Sequence, residues 1–201
     1  METKRAFSKV MLAESAAIAD VAQKLDIRQT EEVYRQICSC KGIVYFTGCG
    51  TSGAAGKKIC HTLCCVKRPS VFLEPADALH GGLGAVGEKD VVVLLSKGGQ
   101  TEELLSMMPS LKKTGCTTIA VTDFEDAPLA KQAGLLLQLR VSREPDPFGM
   151  LATASILAVI SFFDSICIAY MEETAFSKEQ FEAIHPEGAV GKQLKEAREG
   201  R

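Results

Sequence analysis

The segment Asp90–Glu103, "DVVVLLSKGGQTEE", decides how this chain folds. Asp90 to Ser96 is expected to be a strand, with an unbroken apolar run inside it. It lacks the alternation of a strand with one wet face and suits a strand covered on both sides. Glycines and small hydroxyls follow at once, and then Thr101 to Thr114 has a helical pattern. Strand, glycine turn, helix is the repeating piece of a parallel α/β sheet.

The same unit recurs on either side. Ile43 to Thr47 is a β-rich run that enters Gly48, Gly50 and Gly53 and then a helix over 52–66. Ser70 to Glu74 is a second strand, followed by a Pro-led helix through Ala76, Ala78 and Leu79. Thr117 to Thr122 and Leu135 to Val141 complete five strands, with a short helix at 127–133 between them. Upstream, Met11, Ile18, Val21 and Leu25 have helical spacing over 8–26, and a second helix covers 30–40. Downstream lies a long apolar helix at about 150–171, then a helix opened by Ser177 with Gln180 at capping-box spacing. The expected fold is α/β: a doubly wound, flavodoxin-like, five-stranded parallel sheet with helices on both faces. One domain is expected over 1–201. It comprises N-terminal helices at 8–40, a core at 43–171, and a C-terminal helix and tail at 177–201.

Bulk properties agree. The 201 residues are 46% hydrophobic and 24% charged, which suits one globular domain with a substantial core. A net charge of -2 provides no basic field for nucleic acid. Lys192 to Arg201 mixes signs and reads as a solvated tail. Met1 to Arg5 has no signal-peptide pattern, so the cytoplasm is the expected compartment. Met150 to Met171 is long enough to cross a bilayer, but Asp164 and several hydroxyls make it a core or interface helix. Its apolar surface exceeds what one small sheet needs, which predicts a homodimer or homotetramer. The eight cysteines lack paired CxxC spacing. Cys60 and Cys64 read as helix packing, His61 likewise, and no metal is expected.

Ligands of such sheets bind beyond the carboxyl ends of the strands. The loops there with unusual chemistry are Gly48–Gly53, Ser96–Thr101 and Ser142–Gly149. The first supports two readings. GxGxxG after a strand, with Glu74 ending the next strand, fits a dinucleotide and an NAD-dependent oxidoreductase. The third-strand loop weighs the other way. Ser96, Lys97, Gly98, Gly99, Gln100 and Thr101 precede a helix and form a second anion cradle. With Gly50, Thr51 and Ser52 opposite, two hydroxyl-rich loops suit one phosphate with a polar tail, a phosphosugar. On these loops alone both readings stand.

Five segments, "TGCGTSGAAGKK", "LEPADALHGGLGAV", "LSKGGQTEE", "REPDPFGMLATAS" and "HPEGAVGKQL", occur in this order. Together they resemble the sugar isomerase (SIS) domain of the arabinose 5-phosphate isomerases, the KpsF, GutQ and KdsD type. The resemblance runs from residue 8 to about 195, and "PADALHG" and "HPEGAVG" are its most specific parts. It implies an aldose–ketose isomerase that needs no cofactor, with arabinose 5-phosphate and ribulose 5-phosphate as the leading pair. It implies phosphate on Ser96 to Thr101, catalytic acids at Glu103 and Glu144, and a catalytic histidine at His185 that often reaches a neighbouring subunit. His80 matches a histidine near the substrate. Longer members carry two CBS domains after this one, and none is expected here. A phosphosugar-binding module without catalysis, or an isomerase of another phosphosugar, are the alternatives.

The chemistry is consistent with those residues. Moving a proton between C1 and C2 through an enediol needs a base and an acid near the oxygens. Glu103 lies in the first turn of a helix, where the dipole favours its charged form and a base's role. Glu144 has Arg143 beside it as a potential partner. His185 can give and take a proton and suits ring opening. Three positions depart from the family pattern. Thr51 stands where a catalytic lysine is usual, and Glu74 where histidine is common. The third-strand loop, usually similar to "SNSGES", has Lys97, Gly98 and Gln100 instead. A lysine lost from one loop and gained in the other suggests that Lys97 supplies the missing cation.

Overall fold

A computed structural model describes residues 2–185 and 187. The tail from Lys192 and all of "HPEGAVG" except His185 and Glu187 lie outside the described residues. The strands are β1 (Val44–Gly48), β2 (Ser70–Phe72), β3 (Val91–Leu95), β4 (Thr117–Thr122) and β5 (Leu135–Gln138). They form one sheet in the order β2-β1-β3-β4-β5. All four pairings are parallel. β1 and β3 are buried at every residue, as strands between two helical layers must be.

Side-chain alternation divides the core in two. Val91, Val93 and Leu95 face one cluster with Ile37, Ile59, Leu63, Phe163 and Ile166. Val92 and Leu94 face the other, with Leu104, Met107, Met108, Leu111 and Leu129. The first face is covered by α2 (Ile27–Ser39), α3 (Gly50–Cys64) and α7 (Ala154–Glu173), and α1 (Glu2–Gln23) packs on α7. The second is covered by α4 (Pro75–Leu79), α5 (Glu102–Thr114) and α6 (Pro128–Gln132).

α7 starts four residues later than its apolar composition suggests. Residues 150–153 are held in the preceding loop, where Asp146 Oδ1 accepts from Met150 N at 2.8 Å and Leu151 N at 2.9 Å. The helix is long and apolar enough to cross a membrane. In this fold it packs on α1 and α3. Phe163 meets Phe46 edge-on at 5.0 Å, and Asp164 pairs with Lys58 of α3. The last helix, α8 (Lys178–Ile184), opens with the Ser177–Gln180 capping box.

The chain leaves β1 outward to β2 and then crosses back to β3. The connections therefore diverge between β1 and β3. This switch point opens a crevice where side chains from several loops can converge.

Candidate active site

Gly48 ends β1, and Cys49 precedes α3 in extended conformation. Gly53 is fixed by packing: a Cβ there would lie 2.5 Å from Gly48 O. This glycine brings helix against strand whatever the ligand. Thr51 is exposed and Ser52 half-buried. Glu74, the carboxylate of the dinucleotide reading, forms an exposed pair with Lys57 at 3.4 Å.

The β3 loop is stapled to the end of β4. Lys97 O accepts from Thr122 Oγ1 at 2.8 Å and from Asp123 N at 2.9 Å. Gly99 O accepts from Leu129 N at 3.0 Å. Gly99 has φ +62°, and a Cβ there would meet Ala127 Cβ at 2.5 Å, so only glycine fits. Thr101 occupies the backbone N-cap of α5, but its hydroxyl does not cap the helix. It pairs with Ser96 Oγ at 2.8 Å instead, so two hydroxyls sit together at the helix N-terminus. The first-turn amides of α5 lack intrahelical acceptors and make this end favourable for an anion.

Glu144 is the most enclosed polar group of the site, with no exposed surface. Its partner is Lys97, at 2.6 Å, and not its neighbour Arg143. The same oxygen accepts from Ser155 Oγ. The other accepts from Thr153 N at 3.1 Å and Ser155 N at 3.3 Å. Those contacts occupy the four lone-pair directions of a carboxylate. Burial raises its proton affinity, but the hydrogen bonds from Lys97, Ser155 and Thr153 outweigh this and hold it below the ordinary carboxyl range. A saturated, buried carboxylate at the start of α7 suits holding Lys97 in place better than carrying a proton.

Asp123, just after β4, was not marked by the sequence pattern. It is only 5% exposed and lines one cavity with Ser52, Ser96, Lys97 and Ser155. Burial pushes its carboxyl up to about 6. Lys97 opposes that rise, Glu144 adds to it, and Arg140 and the Val141 amide oppose it. Its position at a strand's carboxyl end was the only available signal.

The remaining expected residues are distributed as follows. Glu103 is exposed in the first turn of α5. Burial chiefly, then the charges of Glu103 and Glu74, raise the Cys49 thiol, which places both acids near the first loop. Gly50 is exposed at the first position of α3, and Gly98 and Gln100 are exposed on the β3 loop. His80 is the exposed C-cap of α4. His185 ends α8, with Nδ1 2.9 Å from Phe181 O and its ring stacked on Phe181. It has no partner among the described residues of the three loops. His61, expected to pack, is exposed and lies 3.7 Å from Cys65 Sγ. Cys60 is buried as expected, whereas Cys64 is exposed.

Fold and loops together define a doubly wound α/β domain whose switch point opens on hydroxyls, glycines and a partly exposed lysine paired with a buried carboxylate. The chain belongs to the SIS domain family, which matches residues 37–169. It is 36% identical over 186 residues to arabinose 5-phosphate isomerase KpsF of Escherichia coli O6:H1, covering 92% of this chain and 57% of that protein. It is 39% identical over 154 residues to arabinose 5-phosphate isomerase KdsD of Pseudomonas aeruginosa, covering 77% and 47%. The chain thus spans about half the length of these relatives. Among solved structures, a putative sugar-phosphate isomerase from Listeria monocytogenes superposes with TM-score 0.88 at 42% identity, covering 90% of this chain and 95% of that one. An Escherichia coli CFT073 protein in complex with arabinose 5-phosphate also gives TM-score 0.88, at 31% identity, covering 92% and 98%.

Proposed function

We propose that this protein is a sugar phosphate aldose–ketose isomerase acting through an enediol, with arabinose 5-phosphate and ribulose 5-phosphate as the leading pair. The observation that carries this is the convergence of Ser52, Ser96, Lys97 and Ser155 on one cavity at the switch point. Relatives named as arabinose 5-phosphate isomerases support the substrate class.

In this reading the phosphate rests on Ser96, Gly98, Gly99, Gln100 and Thr101 at the positive end of α5. Gly50, Thr51 and Ser52 form the opposite wall, and His80 approaches the sugar. Glu103 is the base that moves the proton between C1 and C2. Lys97, about one-third exposed above its buried partner, supplies the cation that stabilises the enediolate oxygen. Glu144 holds Lys97 rather than exchanging protons. His185 assists ring opening, reaching the site from a second copy of the chain. Exposed Phe7, Met11 and Leu12 on α1 and Ile168 on α7 supply apolar surface for a homodimer or homotetramer. The cytoplasm is the proposed compartment.

A second reading, a phosphosugar-binding module without catalysis, is favoured by one observation. Thr51 stands where arabinose 5-phosphate isomerases place a lysine, and a hydroxyl cannot supply that charge. Incubating the protein with aldopentose and ketopentose phosphates in deuterated water separates the two. Deuterium entering at C1 or C2 marks an isomerase. Thermal stabilisation by phosphosugars without exchange marks a binding module.

A further inference from the structure

One ammonium, Lys97, lines a cavity with two carboxylates, Glu144 and Asp123. Glu144 holds it directly at 2.6 Å. Asp123 lines the same cavity as both and is almost fully buried. Its backbone is fixed: its N–H donates to Lys97 O at 2.9 Å, and its C=O accepts from Gln138 Nε2 at 2.9 Å. The other charges around it are few. Arg140, exposed after β5, favours the carboxylate, and Glu144 opposes it. Arg143 also lines the cavity. Glu103 and Glu74 act near Cys49, on the first-loop side. Glu144 engages the ammonium, so Asp123 carries the surplus negative charge.

A phosphorylated ligand adds further negative charge to this corner. Like charges in a desolvated site favour protonation of the group whose proton affinity is already highest. The inference rests on the phosphosugar reading above. We propose that Asp123 is a positioning residue of this site: it takes up one proton from solvent as a phosphorylated ligand settles on the Ser96–Thr101 loop, and so frees the Lys97 ammonium from one of its two acid neighbours to face the ligand. The balance is simple. Carboxylate plus one solvent proton becomes carboxylic acid, and the ligand keeps its charge. Burial supports the step, because it already pushes Asp123 up to about 6, close to neutrality.

Two measurements test it. The first is calorimetry of arabinose 5-phosphate binding at pH 7, in buffers of different ionisation enthalpy. Comparison with Asp123→Asn removes the sugar phosphate's own protonation. The wild-type protein should take up at least about half a proton per site more than the variant. Equal uptake overturns the proposal. The second is a carbon NMR titration of the ligand-free protein, with the Asp123 carboxyl identified by its loss in Asp123→Asn. Its midpoint should move up in Lys97→Met and down in Glu144→Gln. If Glu144→Gln fails to fold, Lys97→Met alone decides. An unmoved midpoint shows three uncoupled groups and overturns the proposal. A moved midpoint with no binding of pentose phosphate or inorganic phosphate overturns the uptake step together with the phosphosugar reading, and leaves the coupling of the three groups standing.

Discussion

Replacing Asp123 with Asn should make the protein more stable, and only at neutral and higher pH. The carboxyl is buried and raised to about 6 from 3.8. The native state therefore holds this proton more tightly than the unfolded chain does. Stability from this group is greatest when both states are protonated and declines as pH climbs from 3.8 to about 6. A shift of that size, at about 1.4 kcal/mol per unit, corresponds to about 3 kcal/mol. Asparagine keeps the shape and removes the charge, so the variant should recover that amount above pH 6. For a domain of this length, about 3 kcal/mol corresponds to a rise in Tm of roughly 6–12 °C. Urea unfolding of both proteins at pH values from 3 to 8 measures the difference. It should be near zero at pH 3 and grow to its full value by pH 7. A difference that is constant across pH, or a wild-type protein that is more stable at pH 8, would refute the reasoning.

Lys97→Met should reduce isomerase turnover well over tenfold, and unchanged turnover would remove Lys97 from the mechanism. The same change strands the buried Glu144 carboxylate. Because Lys97 keeps a third of its side chain in water, the cost should be about 1–3 kcal/mol at pH 7. The Glu144 carboxyl is held below its ordinary value, so this cost should fade as pH falls below about 4.5, and a pH series of denaturation curves reads it. Glu103→Gln should abolish isomerisation while leaving sugar phosphate binding intact; surviving activity would exclude Glu103 as the base. Gly99→Ala should destabilise the β3 loop by about 1–3 kcal/mol, through both the strained φ and the 2.5 Å approach to Ala127, and should weaken phosphosugar binding measured by thermal shift.

The fold was legible in sequence because burial dictates composition. β3 and β1 are covered on both faces, so they are mainly apolar, and glycine turns mark their passages to α5 and α3. The ends of elements were less legible. β2 stops at Phe72 rather than Glu74, and β5 at Gln138 rather than Val141, because pairing with a neighbouring strand sets where a ladder ends. α7 begins at Ala154 because Asp146 and Glu144 capture the preceding amides, which composition cannot show.

For the site, the sequence by itself determined which loops lie at the switch point and which hydroxyls, glycines and acids they carry. Only the tertiary structure decided how those groups are shared. Glu144 has Arg143 next to it along the chain, yet its charge is met by Lys97, forty-seven residues away. Ser96 and Thr101 could each cap a helix, yet they pair with one another. Asp123 is an ordinary strand-end aspartate in sequence and a raised, buried acid in the fold. The physical reason is common to all three. Chain order fixes which elements are neighbours in the sheet. Charge pairing and desolvation depend on distances between side chains from different elements, and those are set only when the sheet and its helices close on one another.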